Sequence, residues 1–126
     1  MSAAAFNLTI IRGVLSRPTE AVPLAGGSVL VRYEITVPTA DPDGRAVTVP
    51  ATAVDPHLNV RELDGGTELL IIGRTRRRFW SAAGATRSQV DVLADTVVLA
   101  DQDVVVGQAL TEAAARLARF TKEVAA

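Results

Sequence analysis

Residues 66–80 read Gly66-Thr67-Glu68-Leu69-Leu70-Ile71-Ile72-Gly73-Arg74-Thr75-Arg76-Arg77-Arg78-Phe79-Trp80, and this stretch decides the fold. Leu69 to Ile72 is apolar at every position, as a strand is when both of its faces are covered. Beyond Gly73 the run turns cationic. Side chains two apart in a strand project to one side, so Arg74, Arg76, Arg78 and Trp80 form one row and Thr75, Arg77 and Phe79 the other. One long strand over 67–80 is expected, buried in its first half and exposed in its second.

Working outward, Ala82-Ala83-Gly84 makes a tip and residues 86–100 return as the next strand. Upstream, Asn7 to Leu15 is rich in β-branched residues and slips phase at Ile10-Ile11, as a strand does when a bulge lets it serve two parts of a barrel. Gly13 suits a sharply coiled strand. After the Gly26-Gly27 turn, Val29, Val31, Tyr33, Ile35 and Val37 alternate with polar residues over 28–37, with Leu30 the exception. Asp41-Pro42-Asp43-Gly44 is turn chemistry, a strand over 46–53 follows, and the connection from Asp55-Pro56-His57-Leu58 holds one short helix before Gly65-Gly66. Five strands near 7–15, 28–37, 46–53, 67–80 and 86–100 predict an all-β protein, a five-stranded OB-type barrel.

Residues 101–107 are ambiguous, with Val104-Val105-Val106 readable as a short extra strand. Beyond Gly107 the period changes. Leu110, Ala113, Leu117, Phe120 and Val124 recur at helical spacing, Thr111 is placed to cap, and Arg116, Arg119 and Lys122 suit the C-terminal end of the dipole. A helix over 109–124 is expected, so the chain divides into a domain over 1–107 and an amphipathic helix over 108–126. That helix either packs on its own domain or pairs between subunits.

A chain of 126 residues supports one hydrophobic core. With no cysteine there is no disulfide, thiolate nucleophile or thiolate zinc site. The N-terminal residues Met1 to Ala5 lack a basic segment, and no apolar run approaches the ~20 residues of a membrane span, so a soluble cytoplasmic protein is expected. His57, alone among histidines, sits in a connection with no partner for general-base work; Asp41/Asp43 and Asp101/Asp103 read as solvated turns rather than metal ligands. Lys122 is the sole lysine, and no glycine-rich phosphate loop accompanies it. These residues predict no enzyme, no cofactor and no metal.

The net charge of −1 hides a local concentration, because four of the thirteen basic residues are Arg74, Arg76, Arg77 and Arg78. Aromatic residues make up only 4% of the chain, which leaves Trp80 to be explained. A nucleic-acid single strand exposes both phosphates and base faces, so its receptor needs cations along the former and flat π surfaces for the latter. The candidate contacts are Arg74, Arg76, Arg78, Phe79, Trp80 and Arg87. The competing arrangement pairs the arginines with Asp91, Asp95 or Glu34 and folds Trp80 over the barrel end.

Several segments resemble the bacterial single-stranded DNA-binding protein family. Asn7 to Leu15 with Arg17-Pro18 is similar to its first strand, and Gly26-Gly27-Ser28-Val29 to its entry to the second. Gly66 to Trp80, then Gly84, then Val90-Asp91-Val92-Leu93-Ala94-Asp95 resemble its glycine turn, its Arg-x-Arg-x-Trp strand and the strand that follows. The likeness covers about residues 7–100. It implies an OB fold, a homo-oligomer (dimer or tetramer), and sequence-tolerant binding of single-stranded DNA in replication, recombination or repair, with Trp80 stacking and Arg74, Arg76 and Arg78 in the basic strand. Two departures suggest a divergent or paralogous member. No aromatic lies between Tyr33 and Phe79, where the family places stacking residues. The chain closes on Phe120-Thr-Lys-Glu-Val-Ala-Ala126 in place of an acidic, Phe-terminated tip, so no recruitment through such a tip is expected. The alternative is an OB-type protein-interaction or accessory primosomal subunit with weak or no DNA binding.

Overall fold

A computed structural model of the chain describes residues 5–38 and 42–125, so Asp41 of the predicted turn and the side chains of Lys122 and Val124 lie outside the described residues. Six strands form one sheet: β1 (Thr9–Leu15), β2 (Glu20–Pro23), β3 (Val29–Val37), β4 (Val47–Val54), β5 (Glu68–Ala82) and β6 (Ala85–Leu99). Their order is β1-β5-β6-β4-β3-β2, and a second pairing of β1 with β3 closes the sheet in a ring. The short β2 was not expected. It lies at the end of that order, where a four-residue strand ending in Pro23 is tolerated because its outer N–H groups need no ladder partner.

Ring closure depends on β1 serving two neighbours. It pairs with β5 from Thr9 opposite Gly73 to Val14 opposite Glu68, without a break in register, and then meets Thr36 and Ile35 of β3 through Val14 and Leu15. The expected bulge at Ile10-Ile11 is absent, and the crossing is made by Gly13. A Cβ there would stand 2.6 Å from both Ile35 Cγ2 and the Thr36 carbonyl oxygen, so only glycine lets the two strands come together.

Inside the ring lie Leu15, Val31, Tyr33, Ile35, Leu69 and Ile71, with Val60 of the 3-10 turn Leu58–Val60 closing the core. Burial of each large aliphatic side chain contributes roughly 1.5–3 kcal/mol. The Tyr33 hydroxyl donates to the Val60 carbonyl oxygen at 2.7 Å, and burial pushes its phenol well above the ordinary tyrosine pKa. Alternate residues of β5 face the other way: Leu70 and Ile72 pack outside the ring against Val106 and Ala113 of helix α1 (Asp103–Ala125). The two-sided apolar run of 69–72 is thereby explained.

Helix α1 begins six residues before the expected start at 109, taking in Val104 to Val106 and Gly107, so these valines form no strand, Thr111 is no cap, and the boundary drawn at 107 falls within the helix. The physical reason is Val106, whose burial against Leu70 and Ile72 outweighs the β propensity of a valine run. α1 packs on its own sheet, and the rings of Phe6 and Phe120 meet at a centroid distance of 4.5 Å. Among the described residues no helix is long and apolar enough to cross a membrane.

Asp55, in left-handed backbone at φ 49°, accepts from the Val29 amide at 2.9 Å and the Ser28 hydroxyl at 2.8 Å, joining the end of β4 to the start of β3. The Val29 amide first, and then Ser28, hold its carboxyl below the ordinary 3.8. A lowered folded-state pKa stabilises above the unfolded value and is lost as the pH falls through the folded one. The stability difference between the native protein and Asp55→Asn should therefore be present at neutral pH and vanish in urea titrations run well below pH 3.8. Two glycine substitutions should act with opposite sign in the same assay. Gly13→Ala should destabilise by at least about 1–3 kcal/mol because backbone must move. Gly107→Ala, in mid-helix with nothing within 4 Å of the added carbon, should stabilise by up to about 1 kcal/mol.

Candidate nucleic-acid interface

Beyond Gly73, β5 and β6 continue as a long hairpin that passes the ring only after Val92 and Leu93, which still pair with Ala51 and Thr52 of β4. At its base the register steps from Ile72 opposite Thr96 to Gly73 opposite Ala94, leaving Asp95 as the extra residue of a bulge. A Cβ on Gly73 would lie 2.1 Å from the Leu93 carbonyl oxygen, so the strands approach there as closely as backbones can. At the far end Ala83 and Gly84 have φ of 51° and 78°, the two positive values of a type I′ turn.

The pairing fixes what shares each face. One face carries Arg74 opposite Leu93, Arg76 opposite Asp91, Arg78 opposite Gln89 and Trp80 opposite Arg87. The other carries Thr75 opposite Val92, Arg77 opposite Val90 and Phe79 opposite Ser88. Five of the six candidate residues are thus brought together, and Phe79 stands on the reverse side. Trp80 is 42% exposed and Phe79 67%, so Trp80 is not a plug of the core. From 74 to 90 the sequence has five arginines (Arg74, Arg76, Arg77, Arg78 and Arg87) and no carboxylate.

The arginines are not equivalent. Arg76 Nε donates to Asp91 Oδ1 at 2.9 Å and its terminal nitrogen to Thr52 Oγ1 at 3.2 Å, while Arg78 stands 3.8 Å from Asp91. Asp91 is only 3% exposed, so Arg76 is an internal partner that ties β5 and β6 to β4 before it is a phosphate contact. Of the three acids weighed as partners, Asp91 takes that role; Asp95 accepts from Arg116, and Glu34 pairs with Arg17. Arg77 donates to the Ser88 hydroxyl at 3.0 Å. Among the described residues no carboxylate lies within ion-pair distance of Arg74, Arg77 or Arg87.

Beneath the hairpin face runs a groove that sequence reasoning missed. Its cations and anions are Arg17, Arg32 and Arg78 and Glu20, Glu34 and Asp91, drawn from β2, β3 and their flanks as well as the hairpin. No local pattern marks it, because these residues are separated by up to 74 positions and meet only when the ring closes.

The chain matches no family model and no curated protein. The residues and their geometry therefore carry the functional reading.

Removing Arg76 leaves a buried carboxylate with only the more distant Arg78. Arg76→Ala should cost about 2–3 kcal/mol in chemical denaturation, below the value for a fully buried pair because Arg76 is 33% exposed. Arg74→Ala should stay within about 0.5 kcal/mol of the native protein.

Proposed function

We propose that this protein binds single-stranded DNA with little sequence preference, in replication, recombination or repair, and that it does so as an OB-type module. Setting aside the edge strand β2, the ring runs β1-β3-β4-β6-β5 and back to β1, five strands closed on themselves, which supports the OB reading. The observation that carries the function is the hairpin: two exposed aromatic rings within a five-arginine, carboxylate-free segment. Guanidiniums neutralise phosphates, and the Trp80 indole, with Arg87 across from it, offers a face on which a base stacks. Arg74, Arg78 and Arg87 act on the strand, and Arg76 acts through Asp91 as a positioning residue. Assembly as a dimer or tetramer accompanies this reading, supported by the outer edge of β2, which takes no strand partner among the described residues, and by the exposed Leu110 of α1.

Two observations favour an OB-type interaction subunit instead: the groove cations are matched by carboxylates, and no aromatic lies between Tyr33, which is core, and Phe79. Titration with oligo(dT) separates the two readings. Saturating oligo(dT) should quench Trp80 emission. Trp80→Ala should weaken binding by roughly 1–3 kcal/mol with the salt slope kept, whereas Arg74→Ala should flatten the log K against log salt plot by about 0.7. Trp80 emission unchanged by oligo(dT) at low salt would favour the interaction subunit.

A further inference from the structure

The groove under the hairpin is electrically self-neutralised. Arg17 pairs with Glu34 at 2.6 Å, Arg32 with Glu20 at 2.9 Å, and Arg78 with Asp91 at 3.8 Å, so each of its three guanidiniums already faces a carboxylate. The three pairs differ in how firmly they are held. Asp91 is buried and fixed by Arg76, whereas the Glu20 and Arg32 side chains are 63% and 48% exposed and Arg17 is 70% exposed. Exposed pairs of this kind are worth little and break readily. Glu34 is steadied by the Ser16 hydroxyl at 2.9 Å, a bond that does not depend on Arg17, so its guanidinium partner can leave while the carboxylate stays in place.

We infer that Glu20 and Glu34 are built-in competitors of phosphate: they occupy the guanidiniums of Arg32 and Arg17 in the free protein, and a single strand held by the hairpin must displace them to enter the groove. The inference rests on the nucleic-acid reading of the hairpin and adds a second, gated segment to the path of the strand. A carboxylate and a phosphate diester present the same feature to a guanidinium, a pair of anionic oxygens accepting a forked donor, so the exchange needs no rearrangement of the sheet. It also assigns distinct duties to the two basic regions. The hairpin, where among the described residues no carboxylate lies within ion-pair distance of Arg74, Arg77 or Arg87, sets first contact, and the groove admits the strand only when its own acids are outcompeted. Glu20 and Glu34 thus limit affinity and favour a polyanion over isolated anions.

The test is Glu20→Gln with Glu34→Gln in the full chain, titrated with oligo(dT) across a range of salt. Each substitution removes a unit charge about 5 Å from the incoming phosphate, worth roughly three-fold in affinity in near-aqueous surroundings, so the pair should bind roughly ten-fold tighter. Two guanidiniums freed to meet phosphate should steepen the log K against log salt plot by about 1.4. Adding Arg17→Ala and Arg32→Ala should erase both gains. Glu112→Gln with Asp101→Asn, an equal change in net charge at residues that do not line the groove, should reproduce neither, and thermal melts confirm that each variant is folded. Binding by the native protein with affinity and slope unchanged in the Gln variant overturns the inference and leaves the proposed function standing, as does an equal gain from the Glu112 and Asp101 control. Absence of oligo(dT) binding by native and Gln proteins alike overturns the proposed function and this inference with it, whereas binding gained only in the Gln variant supports both.

Discussion

The backbone contact at Gly73 governs both halves of this molecule. No side chain fits between β5 and β6 there, and the bulge that accompanies it leaves Asp95 unpaired and shifts the register by one residue. Below the contact, Leu69 to Ile72 are covered on both faces, by the ring interior and by α1. Above it, Val92 is the last core residue and Asp91 the last buried one, and past them the same two strands run on without a buried residue. A bulge bends a strand and sharpens its twist. At this position it lies just before the end of the core at Val92 and Asp91, past which the strands are free to carry charge.

The one-residue shift also chooses which arginines the fold keeps for itself. Continuing the pairing of Ile72 with Thr96 without the bulge would set Arg77 opposite Asp91; with it, Arg76 takes that place. The buried Asp91 carboxylate then draws Arg76 and, at longer range, Arg78 toward β4, where Thr52 completes the cluster. Arg77 and Phe79 are left on the reverse face. The basic row is in this way partly structural: Arg76 locks the base of the hairpin, and the residues nearer the open surface remain available to a ligand.

Charge is partitioned along the same line. Among the described residues the hairpin cations Arg74, Arg77 and Arg87 have no carboxylate within ion-pair distance, and the groove cations Arg17, Arg32 and Arg78 each face one. A net charge of −1 is thus compatible with a strongly cationic projection, because the carboxylates that balance it lie elsewhere in the fold. The five aromatic rings are divided just as sharply: Tyr33 in the core, Phe6 and Phe120 against each other beside α1, and Phe79 and Trp80 on the hairpin.

What the sequence determined by itself is what depends on neighbours along the chain. Period-two alternation places Arg74, Arg76, Arg78 and Trp80 on one side of a strand whatever the rest of the protein does, and the glycine and proline turns mark five of the six strands. The unbroken apolar run 69–72 likewise announces a strand covered twice. Tertiary structure alone decided what covers it: Val106 enters the helix because Leu70 and Ile72 bury it, against the strand preference of Val104 to Val106. It alone selected Asp91 over Asp95 and Glu34, since that choice turns on a bulge whose effect is felt only when two distant strands are laid together. It alone assembled the groove, because Arg17 meets Glu34 only where the end of β1 reaches β3, and the Arg32–Glu20 and Arg78–Asp91 pairs of two separate strand pairs line one groove only once the ring is closed.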